Sequence, residues 1–258
     1  MIFRRTKKRS DEPELDDAAT DEPTEDQDAD EVPGADEDAP DGAGAAEGET
    51  VLDVEALDAR DWRAEGPFDI AEIDEDDDLT GTPEMPRIDL GAVVLAGFPG
   101  AELRLQMSEE TQQIVSAMLI HGDSALELGA YAAPRSGGLW SELREEIMAA
   151  AVEAGGSASL AEGPFGVELR RLVPVSTPEG EQGYQPSRMW VAEGPRWLLR
   201  GIVYGQAALE DGVQSPVAEM MAAFRAVIVR RGDEAMAPGD LLPLTMPQNL
   251  VPAEEQPA

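Results

Sequence analysis

The only histidine of the chain lies beside an acid and a hydroxyl, a combination that could support hydrolysis. His121, Gly122, Asp123 and Ser124 are consecutive. In a serine hydrolase the base must reach the nucleophile while the acid orients the base from its other side, which close neighbours on one strand cannot arrange. Glycine, aspartate and serine also supply the backbone angles of a turn. The sequence therefore predicts a turn between two strands here, and no catalytic residue.

Two residue types that carry much enzyme chemistry are scarce. The sequence contains no cysteine, which excludes disulfides, thiolate nucleophiles and sulfur-ligated metal centres. Its lysines are Lys7 and Lys8, so the rest of the chain has no Schiff-base lysine and no phosphate-loop lysine. The acidic run at residues 73–78 lacks the alternating ligands, central glycine and closing glutamate of a calcium loop. We therefore expect no cofactor and no metal site.

The loop at residues 133–138 is the strongest candidate for ligand binding, because it leads directly into a predicted helix. Free amides and the dipole at a helix start favour an anion. The loop lacks the lysine and the glycine spacing of known phosphate loops, and a flexible strand-to-helix connection explains the same residues. With two further cations from a later strand, the candidate binding residues are Arg135, Ser136, Gly137, Gly138, Arg196 and Arg200.

The cations available for an acidic ligand are few. They are Arg135, Arg170, Arg171, Arg196 and Arg200. Alternation along the strand predicts that Arg196 and Arg200 project on one face and Trp197 on the other. The alternative is that several of these arginines pair with the chain's own carboxylates, for which Glu127, Glu168 and Glu193 are the candidates.

The charge distribution divides the chain into an acidic part and a folded region. Residues 1–82 contain 30 acidic and 7 basic residues, whereas residues 83–258 contain 24 and 12, which together give the net charge of −35. A segment with few apolar residues and many like charges cannot bury enough surface to fold. We predict that residues 1–50 are a disordered arm with a basic tip and that residues 51–82 are an acidic linker containing a possible docking segment.

The acidic excess also restricts the partners. Nucleic acid and anionic lipid bind mainly through lysine and arginine, so we expect no nucleic acid partner for the folded region. The basic tip could touch an anionic membrane, although Ile2 and Phe3 are weak apolar anchors. An acidic run follows the tip where a signal peptide would be apolar, and no stretch reaches the length of a membrane span. The sequence therefore predicts a cytoplasmic protein.

The predicted domain, residues 83–232, combines short strand-like runs with two amphipathic helices. We predict strands at residues 88–96, 102–107, 113–120, 125–132, 157–161, 166–174, 187–192, 196–204 and 227–229, and helices at residues 138–154 and 215–226. The connections are too short for successive parallel crossovers. The fold class is therefore α+β, with a largely antiparallel sheet and two packed helices. Residues 233–258 form a proline-rich tail, which could dock through Leu241, Leu242 and Leu244.

Several segments resemble the actinobacterial family catalogued as domain of unknown function 3710. They are HGDSALELGAYAAPRSGGLWSELREEI, EGPFGVEL and EGPRWLLRGIVYG, and the resemblance spans roughly residues 67–244. It implies no established activity, cofactor or catalytic residue. The order of elements is also similar to the Mog1/PsbP-like α+β fold of non-catalytic binding and assembly proteins.

Together these observations predict a non-enzymatic interaction module whose partner is an unknown protein or a small anionic ligand. The alternative is a hydrolase that uses carboxylates and a serine. A cleft lined by Glu127, Arg135, Ser136 and Arg200 with a raised carboxylate pKa would favour that alternative. A weaker alternative is a membrane-surface adaptor acting through residues 1–9.

Overall fold

Eleven strands and four α-helices are distributed over the part of the chain that a computed structural model describes, which is residues 52–74, 79, 81, 87–176 and 180–247. The strands are β1 Phe68–Asp69, β2 Arg87–Asp89, β3 Val93–Ala96, β4 Glu102–Met107, β5 Ile114–His121, β6 Ser124–Ala132, β7 Ser157–Gly163, β8 Gly166–Ser176, β9 Gln182–Gly194, β10 Trp197–Gly205 and β11 Ile228–Val229. The helices are α1 Val54–Asp58, α2 Leu139–Glu153, α3 Gln206–Leu209 and α4 Val217–Arg225, with a 3-10 turn at Ile70–Glu72. All of these elements belong to one compact unit, Glu49–Ala258.

The larger of two sheets has seven strands in the order β4-β5-β6-β10-β9-β8-β7, and all its neighbouring pairs are antiparallel. Short reversals connect most of these strands along the chain, which is the connection that an antiparallel ladder permits. The prediction of an α+β fold with a largely antiparallel sheet is therefore confirmed.

A smaller sheet was not predicted. Its order is β1-β11-β3-β2, and β1 runs parallel to β11 with Phe68 opposite Ile228. The prediction of one strand at residues 88–96 was wrong, because the chain reverses at residues 90–92 and separates β2 from β3. Continuous apolar sequence on both sides of this reversal concealed it.

The main core lies between the small sheet and one face of the large sheet. Phe165, Trp190 and Phe224 form its aromatic centre, with ring centroids 4.5 to 6.1 Å apart. Phe224 of α4 packs directly over Gly201 of β10, where an added Cβ would lie 2.7 Å from the ring. Glycine at position 201 therefore allows the helix to approach the sheet.

Helix α2 covers the opposite face of the large sheet, against β7, β8 and β9. Its buried residues Leu139 and Trp140 form a second core with Leu169, Met189 and Leu198. The two predicted helices are thus present, but they lie on opposite faces of the sheet. None of the helices in the described residues combines the length and the apolar character that a membrane crossing requires.

The segment before the domain packs onto it. Trp197 donates its indole N–H to Asp69 at 2.7 Å, and Arg144 of α2 makes a bidentate ion pair with Asp58 at 2.6 and 2.7 Å. The backbone N–H of Phe68 also donates to the carbonyl of Val227 at 2.9 Å. Residues 52–74 therefore contribute structure to the domain.

Part of the tail also joins the core. Leu242 and Leu244 are buried, and their backbone amides donate to the carbonyls of Ala130 and Ile114 at 2.9 and 3.2 Å. Leu241 is bridged to Tyr131. The predicted arm, residues 1–50, lies outside the described residues, as do residues 248–258 of the predicted tail.

Candidate functional site

The sequence predicted a possible anion site at the start of α2. A carboxylate of the chain itself occupies this position. Glu193, at the end of β9, accepts the backbone N–H groups of Gly138 at 3.0 Å, Leu139 at 2.8 Å and Trp140 at 3.4 Å. A carboxylate at this position satisfies amides that have no partner within the helix and complements the helix dipole. An external anion would have to displace Glu193. Gly138 therefore serves the fold.

Arg135 and Ser136 lie close to this helix start but remain available. Both are exposed, and the Ser136 hydroxyl makes only a long hydrogen bond of 3.4 Å to the carbonyl of Gly137. Together with Gly137 they line a cleft of about 620 Å³. Its opposite wall comes from residues 57–63 of the docked segment. We call this space the helix-start cleft.

Arg196 lies in the tight turn between β9 and β10, with a positive φ of 68°. Its backbone carbonyl accepts the N–H of Ala133 at 2.9 Å and the Nε–H of Arg231 at 3.1 Å. The contacts of Arg196 are therefore those of a turn residue that connects neighbouring loops. The cleft residues include Pro195 but not Arg196.

Arg200 lies elsewhere, on the face of the large sheet that carries α2. Alternation along β10 places Arg200 and Tyr204 on the same face as Leu198 and Ile202, which pack beneath the helix. The β6 side of this face carries polar side chains, since Glu127 and Tyr131 of β6 lie beside Tyr204 and Arg200 of β10. We define the arginine–tyrosine cluster as Glu127, Tyr131, Arg171, Arg200 and Tyr204.

The two arginines of this cluster differ from Arg144, Arg170 and Arg188, whose guanidinium groups donate to carboxylates. In the described residues, the Nε atoms of Arg171 and Arg200 are buried and have no hydrogen-bond partner. The Arg200 guanidinium lies 4.9 Å from the centre of the Tyr131 ring, a cation–π contact. The cluster thus presents two partly buried cations whose hydrogen-bonding capacity is unused.

One hydrogen bond joins two of the remaining groups of the cluster, Tyr204 and Glu127. Tyr204 donates its hydroxyl to Glu127 at 3.2 Å. Burial, with the negative charge of Glu127, raises the pKa of Tyr204 to about 12, against the opposing charges of Arg171 and Arg200. Burial also raises the pKa of Tyr131. Both phenols therefore stay neutral at physiological pH and add no negative charge.

Burial has the opposite effect on the pKa of a cationic group such as Arg171. It lowers the pKa of Arg171, and the nearby positive charge of Arg200 acts in the same direction. Tyr204 and Glu127 raise the pKa and only partly offset this. Arg171 is therefore a cation whose charge the surrounding protein does not fully compensate, although an arginine stays protonated at any physiological pH.

The arrangement that would have favoured a hydrolase is not formed. Arg135 and Ser136 line the helix-start cleft, whereas Glu127 and Arg200 belong to the arginine–tyrosine cluster on the sheet. The interpretation of residues 121–124 as a turn is confirmed, because His121 pairs with Ser124 across the β5–β6 hairpin. The Ser124 hydroxyl accepts the buried backbone N–H of Ala207 at 3.0 Å, which is a structural role.

Sequence reasoning identified Arg171, Arg200 and Glu127 as charged candidates but did not assemble them, and it missed Tyr131 and Tyr204. Alternation does place Glu127 and Tyr131 on one face of β6, and Arg200 and Tyr204 on one face of β10. The order of strands was the missing information. The strand order β6-β10-β9-β8 brings these faces together, with Arg171 of β8 one strand beyond β9.

Three comparisons with known proteins complete the description. The family model described as "Protein of unknown function (DUF3710)" matches residues 66–253. Among solved structures, the chain is similar to cyanobacterial PsbP (CyanoP) from Synechocystis sp. PCC 6803, with 12% sequence identity and a TM-score of 0.35. That similarity covers 58% of this chain and 94% of the cyanobacterial protein. Among curated proteins there is no match. The range matched by the family model contains the whole arginine–tyrosine cluster.

Proposed function

The chain belongs to the DUF3710 family, and we propose that its folded region is a non-enzymatic binding module that holds an anionic group of a partner at the arginine–tyrosine cluster. One observation carries this proposal. Arg171 and Arg200 have buried Nε atoms without a hydrogen-bond partner in the described residues, and the carboxylate of the cluster, Glu127, is hydrogen-bonded to Tyr204. The charges at the cluster therefore sum to one excess cation.

The energetics of burial favour an anionic ligand. A partly buried cation that lacks a hydrogen-bonded counter-ion is unfavourable, because it has lost water without gaining a partner. A carboxylate or a phosphate offers two oxygens to the planar guanidinium and makes charge-assisted hydrogen bonds. Such a group would supply the counter-ion that the guanidinium groups of Arg171 and Arg200 lack within the described residues.

The tyrosines support binding and not chemistry. With its pKa raised to about 12, Tyr204 is too weak an acid to release its proton to a substrate near neutral pH. The face of the Tyr131 ring makes a cation–π contact with the Arg200 guanidinium. We place this binding in the cytoplasm, and the absence of cysteine from the sequence agrees with a reducing compartment.

Side-chain nuclear magnetic resonance tests the proposal directly, because each arginine Nε–H gives its own signal. Inorganic phosphate and a short glutamate-rich peptide would be titrated into the full chain. We expect the Nε–H signals of Arg171 and Arg200 to shift with saturation. Arg188 provides an internal control, since its Nε–H already donates to buried Glu168 at 2.9 Å.

A double substitution, Arg171→Gln with Arg200→Gln, supplies the matched variant. We expect it to lose the peptide-induced shifts of neighbouring backbone amides, while the signal of Arg188 stays where it is. Equal peptide affinity of the variant and the natural chain would contradict the proposed site. Shifts that follow phosphate and peptide equally at all exposed arginines would show nonspecific ion pairing and also contradict it.

A further inference from the structure

A second site lies away from the arginine–tyrosine cluster. We propose that the helix-start cleft binds a small organic anion with a flat apolar body and a carboxylate or phosphate end. This inference does not depend on the proposed function, because the two sites share no residue. At about 620 Å³ the cleft has the size of sites that take small molecules.

Part of the cleft lining is apolar. Trp140, Phe165 and Val167 are buried residues that reach the cleft, and Trp62 stands at its side. Gly166 has a positive φ of 94°, and a Cβ there would lie 2.9 Å from Nε1 of Trp62. Glycine at this position thus lets the edge of the indole rest on the start of β8. The result is a rigid aromatic wall fixed to the sheet.

The carboxylates of the cleft are already engaged. Asp58 is held by Arg144 in a bidentate ion pair, and Glu193 caps α2. Asp61 accepts the backbone N–H of Arg63 at 3.0 Å. A cationic ligand would therefore meet carboxylates that already accept hydrogen bonds within the fold.

The donors of the cleft are available. Arg135 is exposed and has no ion pair within the described residues, and the Ser136 hydroxyl makes only its long bond of 3.4 Å. Arg60 stacks on the Trp62 ring with its guanidinium carbon 4.0 Å from the ring centre. Its ion pair with Glu162 spans 3.6 Å between side chains that are each 59% exposed, which makes it a weak competitor.

The free donors, the stacked guanidinium and the apolar residues of the cleft together define the ligand. The free donors require a negative group with acceptor oxygens, and a guanidinium held flat against an indole favours a planar partner on its other side. The apolar residues contribute by removing the ligand's hydrocarbon surface from water. A planar organic anion satisfies all three conditions, whereas a simple inorganic ion uses only the first.

The experiment uses 2-naphthoate as the probe and its neutral analogue 2-naphthamide as the matched comparison. Both are titrated into the full chain while the indole N–H signals of the four tryptophans are recorded. We expect 2-naphthoate to shift the signals of Trp62 and Trp140 and to leave the core residues Trp190 and Trp197 unchanged. The amide should bind roughly tenfold more weakly, because it lacks the charge that the arginines recognise.

Two double variants separate this site from the other one. Arg60→Gln with Arg135→Gln should weaken 2-naphthoate binding by roughly tenfold, whereas Arg171→Gln with Arg200→Gln should leave it unchanged. Unshifted Trp190 and Trp197 signals in each variant verify that the fold is retained. Equal binding of naphthoate and naphthamide, no shift at millimolar naphthoate, or loss of binding only in the second variant would overturn the inference.

Discussion

Arg170 and Arg171 are neighbours on β8, yet their surroundings differ completely. Arg170 points to the main-core face and donates to Glu168 and Asp211, at 2.8 and 2.5 Å. Arg171 points to the α2 face, where its buried Nε has no hydrogen-bond partner within the described residues. One peptide unit separates a cation whose donors are engaged from a cation whose donors remain free.

On the main-core face, the charges of the buried side chains Glu168 and Arg188 are fully compensated. Glu168 is only 1% exposed and accepts two hydrogen bonds from Arg188, both at 2.9 Å, one from Trp190 at 2.6 Å and one from Arg170. Buried charges are tolerated when they are paired and hydrogen-bonded in this way. The difference between the faces teaches that the domain can neutralise a buried arginine, and that it does not do so for Arg171 and Arg200.

The largest effect is expected when the counter-ion on the main-core face is removed. The substitution Glu168→Gln would leave the buried charge of Arg188 without a counter-ion, and we expect a loss of about 3–5 kcal/mol in the free energy of unfolding. Urea denaturation measures this loss. Glu145→Gln, on the exposed side of α2, is the control and should change little. A loss below that of an ordinary surface substitution would show that the cluster on the main-core face is not energetically important.

The next prediction compares two glycines, Gly201 in β10 and Gly183 in β9. Gly201→Ala would force its Cβ against Phe224, and we expect a loss of about 1–3 kcal/mol through overpacking. Gly183→Ala in β9, where an added Cβ meets nothing within 4 Å, is the matched control. Thermal unfolding of both variants distinguishes the packed face from a general cost of replacing glycine in a strand.

A smaller effect separates the two neighbouring arginines. Arg170→Gln loses hydrogen bonds to two carboxylates and should cost about 1–2 kcal/mol. Arg171→Gln loses no hydrogen bond within the described residues, so its stability should lie within about 0.5 kcal/mol of the natural chain. Denaturant midpoints of the two variants give the answer. A larger loss for Arg171→Gln than for Arg170→Gln would reverse our assignment of the two faces.

The smallest effect is a dependence on alkaline pH. The folded pKa of Tyr204, about 12, lies above its unfolded value of 10.0, so the neutral phenol is favoured by folding. This contribution to stability is complete below pH 10 and is lost as the pH rises from 10 towards 12. Ultraviolet titration against a Tyr204→Phe variant isolates the transition. Glu127→Gln should lower the Tyr204 pKa, and an unchanged value would rule out Glu127 as a cause.

Local sequence patterns were sufficient to predict helices and strands but not how these elements assemble. The bounds of β4 were predicted correctly, and the helix predicted at residues 138–154 is α2 at Leu139–Glu153, because apolar periodicity and turn residues are local signals. The pairing of β1 with β11 joins positions far apart in the chain, and no local signal encodes it.

The candidate site shows the same limit in chemical terms. The loop at residues 133–138 was recognised from its composition, but the carboxylate that occupies its amides comes from Glu193, more than fifty residues later. In the same way, the strands have to follow the order β6-β10-β9-β8 before Arg200 and Tyr204 can meet Glu127 and Arg171. Composition indicates which groups can bind an anion, and only the strand order decides which of them remain free.

The small sheet has a consequence for the time at which the protein can finish folding during synthesis. Strand β1 pairs only with β11 in that sheet, so Phe68 and Asp69 leave the ribosome long before Ile228 and Val229 exist. Contacts of such sequence separation slow folding. Strand β1 can join the small sheet only after Val229 has been synthesised, whereas the β9–β10 hairpin can pair before then.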